Sequence, residues 1–92
     1  MNHILRYSPD AETDLDEIDE YYTDISSSVV KNFFKEFFET IAFIEQDPKL
    51  FQVRYRGIRI APMYRYPYGI HYIHNQNSIT ILRVLHTKRY FK

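Results

Sequence analysis

The chain of 92 residues contains no cysteine, which excludes a disulfide framework and a thiolate metal site and suits a reducing compartment. It contains only two glycines, so there is no Gly-rich loop to cradle a phosphate, no P-loop and no GxGxxG. No HExxH pair is present either, and neither a cofactor nor a metal is expected. No apolar run approaches the roughly 20 residues of a membrane span. The opening "MNHILRYSPD" lacks the apolar stretch of a secretory leader. A cytoplasmic location without membrane attachment is therefore expected. After Asp47 there is no acidic residue at all, so the second half offers no carboxylate as a general base.

What is present is aromatic and sharply divided in charge. Nine Tyr and seven Phe supply large apolar groups to a chain short enough to be one domain over residues 1–92. A domain of this size buries only about 60–65% of the surface it exposes unfolded, so it must pack densely. Residues 1–47 hold all 12 acids and three bases, a balance of −9. Residues 48–92 hold nine bases and no acid, a balance of +9. The formal net charge of zero conceals this split, which implies a basic working surface on an acidic body or two halves that neutralise each other.

The pattern reads as β-α-α-β-β-β. "HILRYS" (3–8) is a short strand. Ser8 is placed to cap a helix, Pro9 fits its first position, and acids crowd its first turns. Ala11, Leu15, Ile18, Tyr22 and Ile25 form one helical face, with Glu12, Asp16, Asp19 and Glu20 opposite. "SSS" (26–28) starts a second helix with the stripe Val30, Phe33, Phe37, Ile41 and Ile44, closed by Asp47-Pro48. Strands follow at 58–66, 68–74 and 78–86, with a hairpin turn at 75–77. An α+β fold is expected, with a helical hairpin on one face of a mostly antiparallel four-stranded sheet. Leu15, Ile18, Phe33, Phe37, Ile41 and Leu82 are the expected core. On the last strand Ile79, Ile81 and Leu85 alternate with Leu82 and Val84, so the sheet face away from the helices should show an apolar strip rimmed by arginine.

Candidate chemistry lies in the basic half. Arg54, Arg56, Arg59, Arg65, Arg83, Lys88, Arg89 and Lys92 alternate with tyrosines, a composition suited to stacking bases and binding phosphates. Metal-free RNA cleavage needs a base, a cation for the phosphorane and an acid. Arg83, His86 and Tyr90 are candidates for those roles. Arg83 and His86 are three apart, so they share a strand face only if the strand breaks near Leu85. The plainer readings are a cation bound by a helix or partner acid for Arg83, and a strand-end hydrogen bonder for His86. His71 and His74, also three apart, point to opposite faces of a regular strand, so joint metal binding by that pair is not expected. Carboxylate pairs such as Glu12–Asp16 fit a solvated helix face.

"SPDAETDLDEIDEYY", "FIEQDP", "RYRGIRIAPMYRYPYGIHY" and "SITILRVLHTKR" together resemble the RelE/ParE superfamily of bacterial type II toxins, over nearly the whole chain and in the same order. The last strand is more similar to the ParE branch. The resemblance implies the β-α-α-β-β-β fold and a cognate antitoxin whose flexible segment wraps and silences the toxin. In the ParE branch it implies inhibition of DNA gyrase by binding. In the RelE branch it implies cleavage of mRNA in the ribosomal A site. Arg83 matches an arginine that both branches often hold on the last strand. Tyr68 stands near where ribonuclease members often carry another arginine, which counts against cleavage, as does the missing glutamate. Three readings follow. The first is a gyrase-directed toxin with Arg59, Arg65, Tyr68, Arg83, Lys88 and Arg89 as its contact surface. The second is an mRNA interferase using Arg83, His86, Lys88 and Tyr90. The third is a non-toxic relic that only binds an antitoxin.

Overall fold

The computed structural model describes residues 3–88. Its elements are β1 (Ile4–Tyr7), α1 (Pro9–Ile25), α2 (Ser27–Gln46), β2 (Val53–Tyr55), β3 (Ile58–Pro62), β4 (Tyr68–Asn75) and β5 (Ser78–His86). Ser8 caps α1, its Oγ accepting the Ala11 N–H at 3.0 Å. Ser26 serves both helices. Its N–H donates to the Tyr22 carbonyl to finish α1, and its Oγ accepts the Val29 N–H at 3.1 Å to start α2. A one-residue joint therefore sets the turn between the helices.

The sheet has five strands in the order β1-β5-β4-β3-β2 and is mixed, since β1 runs parallel to β5 while the other pairs are antiparallel. This corrects the expectation of four strands. The additional strand, β2, has only three residues, too short for alternation to mark it in sequence. It joins β3 through Arg56-Gly57, both in the left-handed region (φ 48° and 75°), as a two-residue hairpin of the right twist requires. The expected strand 58–66 also ends early, at Pro62. Beyond it the Tyr64 and Arg65 N–H groups donate to the Glu36 carboxylate of α2, at 2.6 and 2.9 Å, instead of to a neighbouring strand.

The core forms between the helices and the sheet from Ala11, Ile18, Phe33, Phe37, Ile41, Ile44, Ala61, Met63, Ile70, Tyr72, Ile79, Ile81 and Val84. Tyr72 is fully buried, and its hydroxyl donates to the Pro48 carbonyl at 2.7 Å. Leu15 is half-buried against this core. Leu82, expected inside, is only partly buried, and a break in register is the reason. Tyr72 faces Ile81, yet His71 faces Arg83, so Leu82 is an extra residue in β5. The bulge reverses the alternation, placing Val84 in the core in line with Ile79 and Ile81 and leaving Leu82 and Leu85 half-buried. The two sets of apolar residues read from β5 are thus redistributed. Among the described residues no helix is long and apolar enough to cross a membrane.

Candidate functional site

β1 ends opposite Ile81, and α1 takes over that edge of β5. The Ser8 N–H donates to the Ile81 carbonyl at 2.9 Å, and the Ser8 hydroxyl donates to the Leu82 carbonyl at 2.7 Å. One turn into α1, Asp14 accepts the Val84 N–H at 2.9 Å. The same carboxylate takes Arg83 by two parallel bonds, Nε to Oδ2 at 2.8 Å and Nη2 to Oδ1 at 3.0 Å. A buried acid thus satisfies an otherwise unpaired strand edge and fixes an arginine whose side chain stays 41% exposed. The hydrogen bonds that Arg83 donates to Asp14, and the negative charge of that carboxylate, push the Arg83 pKa up, so the guanidinium stays charged.

Arg83 faces His71 across the β4–β5 pair. His71 alternates with the core residues Ile70 and Tyr72 and therefore lies on the sheet face away from them. It is fully buried, and its Nδ1 lies 2.7 Å from the Tyr55 hydroxyl of β2. Burial first, and the neighbouring Arg83 charge second, lower its pKa to about 4, against a smaller opposing pull from Asp14. The imidazole is thus neutral at neutral pH. Asp14, Arg83, His71 and Tyr55 form a polar chain reaching from α1 to β2.

Val84 and His86 share the other face of β5, where a pocket of about 600 Å³ opens between α1 and the ends of β4 and β5. Asp14, Glu17, Ile18, Tyr21, Tyr22, Pro67, Tyr68, His86 and Lys88 line it together with Val84. The His86 ring stands edge-on to Tyr68, with centres 5.4 Å apart, and its Nδ1 accepts the Lys88 N–H at 3.2 Å. Tyr22 packs on Tyr66 and Tyr68, and burial together with Tyr68 pushes its pKa up to about 12. Its phenol therefore holds its proton across the neutral range.

Of the residues singled out from sequence, Tyr68, His86 and Lys88 meet at this pocket. Arg83 lies across the strand from them, joined to the pocket through Asp14. Between Arg83 and His86 the pairing with β4 is regular, so no break brings the two onto one face. Arg59 is committed to the Phe51 carbonyl at 2.6 Å, bracing the approach to β2. Arg65 sits in the exposed loop whose backbone is held by Glu36. Arg89 and Tyr90 lie outside the described residues. Asp14, Tyr55 and His71 were missed as site residues. Asp14 had a signal, being an acid on the Ala11–Ile18 stripe where its neighbours are buried. Tyr55 was read only as one of the tyrosines interleaved with the basic residues, because its strand was not recognised.

The sequence profile of the ParE toxin of the type II toxin-antitoxin system, parDE, matches residues 5–91. The chain belongs to the ParE toxin family. A solved structure described as the chromosomal ParDE TA system from P. aeruginosa has a similar fold, with a TM-score of 0.79 at 20% sequence identity. The match covers 91% of this chain and 95% of that one. No curated protein matches by sequence. That shared fold is the helical pair on a mixed sheet described above.

Proposed function

We propose that the chain is the toxin of a ParDE-type pair, silenced by a cognate antitoxin and acting by binding its target, with DNA gyrase as that target. Family membership over residues 5–91 supports the toxin assignment. The observation that carries binding over cleavage is the placement of Arg83 and His86 on opposite faces of β5. A phosphorane needs its cation and its proton-transfer group within hydrogen-bond reach of one reacting centre. Here the arginine is also engaged by Asp14 through two of its donors. A rigidly held, half-exposed guanidinium on the face of β5 away from the aromatic pocket suits recognition of a carboxylate or phosphate on a partner through the donors that Asp14 leaves free.

The antitoxin half of the reading is supported by the solved ParDE system and by charge. The second half of the chain carries nine bases and no acid, so an antitoxin segment with acidic and apolar residues, ordering as it binds, matches it. Such association should slow steeply with added salt.

Induction of the protein alone tests the target. Double-strand breaks and an SOS response, together with inhibition of supercoiling by purified gyrase, are the expected result. Rapid arrest of translation with cut mRNA would replace this reading with the interferase. Unimpaired growth from soluble protein would leave an antitoxin-binding relic.

A further inference from the structure

Three positions along β4 put His74 on the opposite face from His71, and the fold pairs it with His3 instead. His3 continues the face of Leu5 and Tyr7, and His74 continues the face of Ile70 and Tyr72, so both rings emerge on the same side of the sheet at its β4–β5 turn. Their ring centres are 5.3 Å apart and their planes are inclined by 74°. The geometry points to a binding site for an imidazole-preferring divalent transition ion, Zn²⁺ or Cu²⁺, held by His3 and His74.

Three observations carry this. First, the His74 Nε2 lies 3.0 Å from the Gln76 carbonyl oxygen. A carbonyl only accepts, so Nε2 carries the proton, and in the neutral ring Nδ1 holds the lone pair. A ligating histidine is usually oriented in this way, its second nitrogen donating to a backbone carbonyl. Second, the His3 Nδ1 is buried and has no hydrogen-bond partner among the described residues. Buried polar atoms are rarely left so. Third, the spacing fits. An ion about 2.0–2.1 Å from each nitrogen, at a tetrahedral angle, places two imidazole centres about 5 Å apart.

The site is incomplete by design of its surroundings. Among the described residues no three His, Cys, Asp or Glu side chains converge, so two imidazoles are the side-chain ligands of those types. Asn75, Gln76, Asn77 and Ser78 line an open recess together with His74, which leaves the remaining positions of a bound ion to solvent. With no carboxylate in the ligand set, oxygen-preferring Mg²⁺ and Ca²⁺ have little to bind, and ions that favour imidazole are selected.

The test is a titration of tag-free full-length protein with Zn²⁺, followed by histidine ring NMR signals and by calorimetry. The expected result is that the His3 and His74 signals move together, that those of His71 and His86 do not, and that Mg²⁺ has no effect. His3→Gln and His74→Gln should each weaken Zn²⁺ binding by about tenfold or more. His3 precedes β1, so its variant keeps the strands intact and guards against misreading a folding defect. Absence of any shift at millimolar Zn²⁺ would overturn the site and leave the two rings as a plain edge-to-face contact. Binding that survives in His74→Gln would also overturn it, placing the ion elsewhere on the chain.

Discussion

Asp14 and Arg83 stand 69 positions apart in sequence and meet through two parallel hydrogen bonds, while the same carboxylate accepts the Val84 N–H. The two members are not equivalent. The Asp14 side chain is only 10% exposed, whereas that of Arg83 is 41% exposed. Removing the acid strands a buried backbone donor and leaves the arginine unpaired. Removing the arginine leaves the acid still bound to the strand edge.

Asp14→Ala should therefore lower the free energy of unfolding by about 2–3 kcal/mol, the cost of an unsatisfied buried donor together with a lost charge-assisted bond. Arg83→Ala should cost about 1 kcal/mol or less, since half-exposed ion pairs contribute little. Urea midpoints of the two variants check the order. An Arg83→Ala variant less stable than Asp14→Ala would mean that the pair matters to the fold through the arginine.

Three further variants test the bulge in β5. Phe37 is fully buried in contact with Phe33, and Phe37→Ala should cost about 3–5 kcal/mol, most of a small domain's stability. Leu82 is displaced from the core by the register break, so Leu82→Ala should cost less than about 1.5 kcal/mol, whereas Val84→Ala, one step from the break, should cost more. Thermal melts of the three variants suffice. A Leu82→Ala loss equal to that of Phe37→Ala would restore the uninterrupted strand.

That break also marks how far the sequence could be read. Phe33, Phe37 and Ile41 follow helical spacing in α2 without interruption, and Ile18 and the Ser8 cap follow from α1 alone, so these were legible. Leu82 was misplaced because an extra residue in a strand leaves no local signature and is set by pairing with β4. β2 was missed because three exposed residues carry no periodicity, and its Tyr55 was lost with it. Arg83 was legible as a rigid cation, and binding by a helix acid was one of its readings. Asp14 as that acid was not, since a contact over 69 positions depends on where β1 stops along β5.

The depressed His71 pKa makes stability depend on pH in a defined window. The folded value is about 4 and the unfolded one about 6.5. Between them the unfolded chain binds a proton that the folded chain refuses, so acid favours unfolding. The stability held at pH 7 should begin to fall as pH drops through 6.5 and should keep falling toward 4. His71→Gln keeps a polar group for the Tyr55 hydroxyl but cannot titrate there, so its profile between pH 6.5 and 5 should be flatter than the parent's. Identical slopes in denaturant titrations across that range would show that another group is responsible.

The last prediction separates binding from cleavage at the end of β5. His86 lies at the mouth of the aromatic pocket, edge-on to Tyr68, with its Nδ1 occupied by the Lys88 N–H. In a toxin that acts by binding, His86→Gln should reduce growth inhibition only mildly, because glutamine keeps a hydrogen-bonding group though it cannot shuttle a proton near neutral pH. Arg83→Ala should reduce it more, since the guanidinium is held in place by Asp14 and presents a fixed fork to a partner's anion. Lys88→Ala should have the smallest effect of the three, as one exposed cation on a flexible stem contributes little alone. A nuclease using His86 as its base would reverse this order and lose roughly a hundredfold or more in rate with His86→Gln. Growth curves after induction, with soluble expression confirmed for each variant, give the ranking. Complete loss of toxicity in His86→Gln, with folding and antitoxin binding intact, would replace the binding mechanism with RNA cleavage.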